Sequence, residues 1–198
     1  KKLNAVLFSD VPKNVIYKWD ETNGLEIFLD KIGYSGVVPN LKKAGTNGLT
    51  IDKEGNLIIC MHGDRRIVKL KDWNSNEFVP LATSFNNKLF NSPNDLVYNS
   101  SKDLFFTDPP YGLKHGDNDK LKELDYNGVF KLGSNGKLSV LIKNLSRPNG
   151  IAISRDEKLL YVANSDLNNP VIMKYQITNE GVKNPEVFFD GSVLSKKD

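Results

Sequence analysis

Apolar residues fall along this chain in runs of four to six, each bounded by Gly, Asn, Asp or Pro. Leu57-Ile58-Ile59-Cys60-Met61 and Leu138-Ser139-Val140-Leu141 are two such runs. Arg66-Ile67-Val68-Lys69-Leu70, Gly128-Val129-Phe130-Lys131-Leu132 and Val171-Ile172-Met173-Lys174-Tyr175 alternate apolar with polar or small positions. Short bounded runs and period-two alternation predict β-strands joined by hairpins, not helices.

The runs are organised by a repeat. Thr46-Asn47-Gly48-Leu49-Thr50-Ile51 aligns with Pro93-Asn94-Asp95-Leu96-Val97-Tyr98 and with Pro148-Asn149-Gly150-Ile151-Ala152-Ile153. In each copy an apolar strand begins ten residues after the Asn, at Leu57, Leu104 and Leu159. Val6-Leu7-Phe8-Ser9-Asp10 matches Leu104-Phe105-Phe106-Thr107-Asp108 at an offset of 98 and marks a further, partial copy. About four strands per copy, at spacings of 47 and 55 residues, predict an all-β fold of four-stranded antiparallel propeller blades. Blade-like units are expected at roughly 1–45, 46–91, 92–146 and 147–192, within a single propeller domain over 1–198 that is incomplete in this sequence.

Composition agrees. Asn (23), Asp (16), Gly (15) and Pro (9) make up 63 of 198 residues and favour turns over helix interiors. The formal charge is +3, but only four of the 27 cations are Arg, at 65, 66, 147 and 155, with no interleaved aromatic platform. That argues against nucleic-acid binding. No apolar run approaches the ~20 residues of a membrane helix, so no membrane partner is expected and the chain reads as soluble, cytoplasmic or else periplasmic or secreted. Cys60 is the single cysteine, which excludes an intrachain disulfide; inside an apolar run it reads as a buried, inert thiol.

The third unit is longer than the second, and the excess falls in 109–125, a loop expected to cover one face of the fold. Asp117 and Asp119 have calcium-loop spacing, but Leu121 stands where an oxygen ligand belongs and no Gly follows it, so this stretch reads as a solvated polar loop, His115 included. Asn47, Asn94 and Asn149 can be turn residues. They stand, however, at strand entries rather than in the hairpins assigned to 52–55, 99–102 and 155–158. Equivalent positions of successive blades meet equivalent points of a central channel, where convergent amide oxygens suit a hard cation.

Ser92-Pro93-Asn94-Asp95-Leu96-Val97, Phe105-Phe106-Thr107-Asp108-Pro109-Pro110-Tyr111-Gly112-Leu113 and Cys60-Met61-His62-Gly63-Asp64-Arg65-Arg66 closely resemble the gluconolactonase branch of the SMP-30/gluconolactonase family. Phe8-Ser9-Asp10-Val11-Pro12 and Arg147-Pro148-Asn149-Gly150-Ile151 fit it too, so the resemblance covers nearly the whole chain. It implies a six-bladed propeller, a small-molecule lactone substrate of sugar type, and one divalent cation, Ca²⁺ first, with Zn²⁺, Mg²⁺ or Mn²⁺ as alternatives. By position it makes Asn149 and Asn94 metal ligands, with Asn94 and Asn47 at the substrate. His62, beyond a strand end, is expected at the channel mouth as a substrate-binding residue, with a surface or structural histidine as its alternative; Arg65 and Tyr111 are further substrate-binding candidates. The family's Glu ligand maps before Lys1, and its Asp, the expected general base, maps to 196–204, a window that includes Asp198 without assigning it.

The resemblance implies that the cation polarises the lactone carbonyl while a carboxylate activates water. There is no Gly-x-Ser-x-Gly motif to support a serine nucleophile. Phosphotriester hydrolysis on the same scaffold, as in diisopropyl-fluorophosphatase-like enzymes, and a non-catalytic propeller that binds a ligand or protein are the alternatives.

Overall fold

A computed structural model describes residues 4–36, 38, 42 and 44–194. They form antiparallel sheets in which consecutive strands are neighbours. By internal contacts the chain divides into two units, Lys1–Asn94 with Pro110–Leu124, and Asp95–Pro109 with Asp125–Asp198.

The first unit holds a three-stranded sheet of β1 (Val6–Asp10), β2 (Val15–Asp20) and β3 (Gly24–Asp30). A four-stranded sheet follows, of β4 (Thr46–Ile51), β5 (Leu57–Met61), β6 (Arg66–Leu70) and β7 (Phe78–Ala82). Its core joins Ile16, Leu29 and Ile32 to Leu57, Ile59, Met61, Val68 and Leu70. Every residue of β5 is buried, because both faces of this strand are covered. That explains its unbroken apolar run and the burial of Cys60. A small hairpin, β8 (Ser84–Phe85) and β9 (Lys88–Leu89), turns through Asn86 and Asn87, both at positive φ. Asn is one of the few residues that tolerate a turn of this kind.

In the second unit, β10 (Leu96–Tyr98), β11 (Leu104–Asp108), β12 (Gly128–Leu132) and β13 (Leu138–Ile142) form one sheet. A second comprises β14 (Pro148–Ile153), β15 (Leu159–Asp166), β16 (Asn169–Thr178) and β17 (Gly181–Asp190). Phe105, Val129, Ile142 and Leu145 pack with Ile151, Leu160, Val162 and Tyr175. Strand β11 is buried throughout, as β5 is in the first unit.

The first hairpin of each four-stranded sheet uses one device. Gly55, Lys102 and Glu157 take positive φ and donate their N–H to the carbonyls of Asp52, Asn99 and Ser154. The third turn therefore closes on 154–157, one residue earlier than the sequence suggested. The cause is Ser154, whose hydroxyl accepts from Leu159 N, as Asp52 and Asn99 accept from Asn56 N and Asp103 N.

The segment expected to be a solvated loop is partly built into the first unit. It forms 3₁₀ turns at Pro110–Gly112 and Gly116–Asn118 and buries Leu113 and Leu124. Asp119 is buried as well, and its carboxylate accepts from His115 N and Leu121 N. Burial alone would raise its pKa; the backbone N–H bonds of Leu121 and His115 outweigh that and hold it below the ordinary value. Among the described residues no helix is long and apolar enough to cross a membrane.

Candidate functional site

Two of the three repeated asparagines, Asn47 and Asn149, occupy backbone irregularities. In β4, Thr46 pairs with Met61 and Leu49 with Ile59, so Asn47 and Gly48 together face Cys60. In β14, Pro148 pairs with Asn164 and Ile151 with Val162, so Asn149 and Gly150 together face Ala163. Two residues opposite one define a β-bulge, which breaks the in-out alternation and re-aims a side chain. Asn94 and Asp95 stand just ahead of β10, whose pairing begins with Leu96 opposite Phe106.

Each asparagine carbonyl is anchored. Ser9 Oγ donates to Asn47 O at 2.7 Å, and Thr107 Oγ1 donates to Asn149 O at 2.6 Å. Ser9 and Thr107 are the matching residues of the two Phe-Ser/Thr-Asp copies. Asn94 O instead accepts from Gly48 N at 2.7 Å. In the second unit, Asp95 Oδ1 accepts from Leu96 N and Oδ2 from Ile151 N, while Asp95 N donates to Thr107 Oγ1. The Asp of Ser-Pro-Asn-Asp thus secures the bulge of β14.

In the first unit Asn94 is 4% exposed and its Nδ2 lies 3.4 Å from His62 Nε2. His62 is itself buried, 3% exposed. Burial, reinforced by the charge of Lys42, lowers its pKa to about 4 against the opposing hydrogen bond to the Ser92 backbone. The ring is therefore neutral at pH 7 and keeps an unprotonated nitrogen as acceptor. The Pro-Tyr-Gly turn packs beside it. A Cβ on Gly112 would stand 2.5 Å from Ser92 Cβ and 3.0 Å from His62 O, so only glycine permits this approach. Gly112 N donates to Ser92 Oγ at 2.8 Å. Tyr111 is half-buried, and its carbonyl accepts from Lys42 Nζ.

Arg65 is 1% exposed, at positive φ, with Nε donating to Phe90 O and Nη1 3.9 Å from Glu123 Oε1. Its guanidinium is held inside the first unit by these contacts. In the second unit Asn149 is partly exposed, and its Nδ2 donates to Ser165 Oγ at 3.1 Å. The structure thus brings Asn94, His62 and the Asn47-Gly48 bulge together and pairs Asn149 with Ser165. Sequence reasoning did not single out Ser165, nor the anchoring roles of Ser9, Thr107 and Asp95. The one available signal was the Phe-Ser/Thr-Asp repeat. Asp198 lies outside the described residues. Among the described residues no group of three or more His, Cys, Asp and Glu side chains could hold a metal ion.

The family model for the SMP-30/gluconolactonase/LRE-like region matches residues 1–196. The chain belongs to this family. It is 40% identical over 184 residues to a gluconolactonase of Zymomonas mobilis, covering 92% of this chain and 51% of that protein. To lactonase drp35 of Staphylococcus haemolyticus it is 26% identical over 144 residues, or 71% of this chain and 40% of that protein. The structure of a gluconolactonase from Xanthomonas campestris superposes with a TM-score of 0.77 at 26% identity, covering 93% of this chain and 58% of that one. The four-stranded sheets are accordingly β-propeller blades of the SMP-30/gluconolactonase fold, and the chain spans about half the length of the curated relatives it matches.

Proposed function

We propose that the protein carrying this chain hydrolyses a sugar-type lactone with the help of one divalent cation. Relatedness supports the substrate class: the Zymomonas mobilis gluconolactonase shares 40% identity across 92% of the chain. The observation that carries the site is the buried Asn94 carboxamide. Its N–H side meets neutral His62, and among the described residues no protein donor reaches its Oδ1.

The donor chemistry fits a hard cation. Asn94 and Asn149 offer neutral amide oxygens, which suit Ca²⁺ first and also Mg²⁺ or Mn²⁺, whereas Zn²⁺ more often takes His and Cys. Such a cation, when bound, acts as a Lewis acid on the lactone carbonyl. The residues of this chain hold those oxygens in place. Ser9, Gly48 and Thr107 fix the asparagine backbones, and Asp95 braces the β14 bulge. Asn94, Asn47, His62, Arg65 and Tyr111 are the proposed substrate-binding residues, of which Asn94, His62 and Arg65 are buried. In the overall reaction water adds to the acyl carbon, the ring C–O bond breaks, and the leaving oxygen takes a proton to give the hydroxy acid. The family resemblance assigns the general base to an Asp that maps to 196–204, outside the described residues.

The test uses the intact protein with glucono-lactone, before and after chelation, alongside calorimetric titration with Ca²⁺. Lactone opening that is lost on chelation and restored by Ca²⁺ supports the reading. Chelator-insensitive hydrolysis with no cation bound overturns the metal role, and hydrolysis of a phosphotriester but not a lactone overturns the substrate class. Asn149→Ala should lower Ca²⁺ affinity at least tenfold, while Lys183→Ala, on exposed β17, should leave it unchanged.

A further inference from the structure

We propose that His62 and Ser165 are positioning residues: each accepts the side-chain N–H of one asparagine, His62 from Asn94 and Ser165 from Asn149, and thereby commits the amide oxygen of that asparagine to ligand binding. This deepens the functional reading above and rests on it.

A carboxamide can turn over about its terminal bond, exchanging an oxygen acceptor for an NH₂ donor at almost no steric cost. A cation is repelled by the second arrangement, so an unclamped asparagine spends part of its time in a form that cannot bind. Both asparagines are clamped at two points here. The carbonyl of Asn94 takes Gly48 N at 2.7 Å while its Nδ2 meets His62 Nε2 at 3.4 Å. The carbonyl of Asn149 takes Thr107 Oγ1 at 2.6 Å while its Nδ2 meets Ser165 Oγ at 3.1 Å. With backbone and NH₂ both occupied, Oδ1 is the atom left to present, and no described donor competes for it.

Asn47 supplies an internal contrast. Its carbonyl is anchored by Ser9, yet among the described residues no acceptor holds its amide. The same bulge without an amide clamp suits a residue that adapts to substrate rather than one that ligates an ion. The two clamps differ in chemistry, an imidazole nitrogen and a hydroxyl oxygen, and share only the capacity to accept a hydrogen bond. That shared capacity is what an orienting role requires.

The experiment pairs two readouts on the intact protein. The first is the side-chain amide signals of Asn94 and Asn149 by ¹⁵N NMR without metal, which report the clamp itself. The second is Ca²⁺ affinity by calorimetry. Ser165→Ala lies at an exposed position and should fold normally; it should shift the Asn149 amide signals and weaken Ca²⁺ binding three- to tenfold, with Ser165→Thr restoring both. His62→Leu removes the acceptor and should do the same at Asn94, while His62→Gln, which keeps an acceptor oxygen, should recover at least half of the loss. Amide signals that ignore Ser165→Ala and His62→Leu overturn the proposal, as does a Ca²⁺ affinity within twofold of wild type in both variants. If the wild-type protein binds no Ca²⁺, the ligand reading falls by itself, and the NMR signals still decide whether the amides are clamped.

Discussion

Asn94 and Asn149 begin from the same repeat position and end in different surroundings. Asn94 is buried against a buried imidazole; Asn149 is partly exposed and held by a hydroxyl at the surface. An anchored backbone carbonyl is common to both, whereas the two-residue bulge is found at Asn149 and Asn94 stands just ahead of β10. The side-chain partner, and with it the response to pH and mutation, belongs to each place separately. A repeat therefore transmits the strand-entry position and an anchored carbonyl while leaving each copy's chemistry to neighbours outside the repeated motif.

Acid should separate the two places most. His62 has its folded-state pKa lowered to about 4. The unfolded chain therefore binds the proton more readily, and stability is fully present above about pH 6.5 and lost as pH falls through about 4. The difference amounts to roughly 3 kcal/mol at most. Urea unfolding of wild type and His62→Gln between pH 7.5 and 4 checks this: the gap between their stabilities should change over that window. A gap that stays constant removes His62 as the source. Ser165→Ala, in contrast, should show no pH-dependent difference from wild type, because a hydroxyl does not titrate there.

The next largest effect falls on Thr107. It is fully buried, donates to Asn149 O and accepts from Asp95 N. Thr107→Val keeps the shape and strands both partners, at a cost of about 2 kcal/mol, with Thr107→Ser close to wild type by the same unfolding measurement. Its counterpart Ser9 is only partly buried, so water can replace it. Ser9→Ala should cost about 1 kcal/mol or less. Equal losses at the two positions would mean that burial does not govern the anchor's strength. Lys183→Ala, on the solvent face of β17, should stay within about 0.5 kcal/mol of wild type.

How much of this was legible in the sequence depended on range. Strands and hairpins were readable because apolar alternation and turn chemistry are local. The unbroken run Leu57–Met61 reads as a strand with Cys60 buried, and the structure buries every residue of it. The asparagines were legible because a repeat made three weak signals into one. The two-residue bulges were not, since Asn-Gly reads equally as a turn until the register of the facing strand is known. The burial of Arg65 against Phe90 O is a long-range fact that no local pattern carries. Asp119 misled for the same reason: an acidic loop reads as solvated, and only folding shows that two backbone N–H groups had claimed the carboxylate. Ser165 lies 16 residues from Asn149, and no spacing rule connects them.

The full burial of Cys60, the lone cysteine, gives the first unit a built-in clock. A thiol in the middle of a strand covered on both faces meets an alkylating reagent only when that strand is uncovered, so its labelling rate counts opening events rather than surface chemistry. Because β4 and its Asn47-Gly48 bulge pair directly with β5, the same clock reports how long the framework beneath Asn47 survives intact.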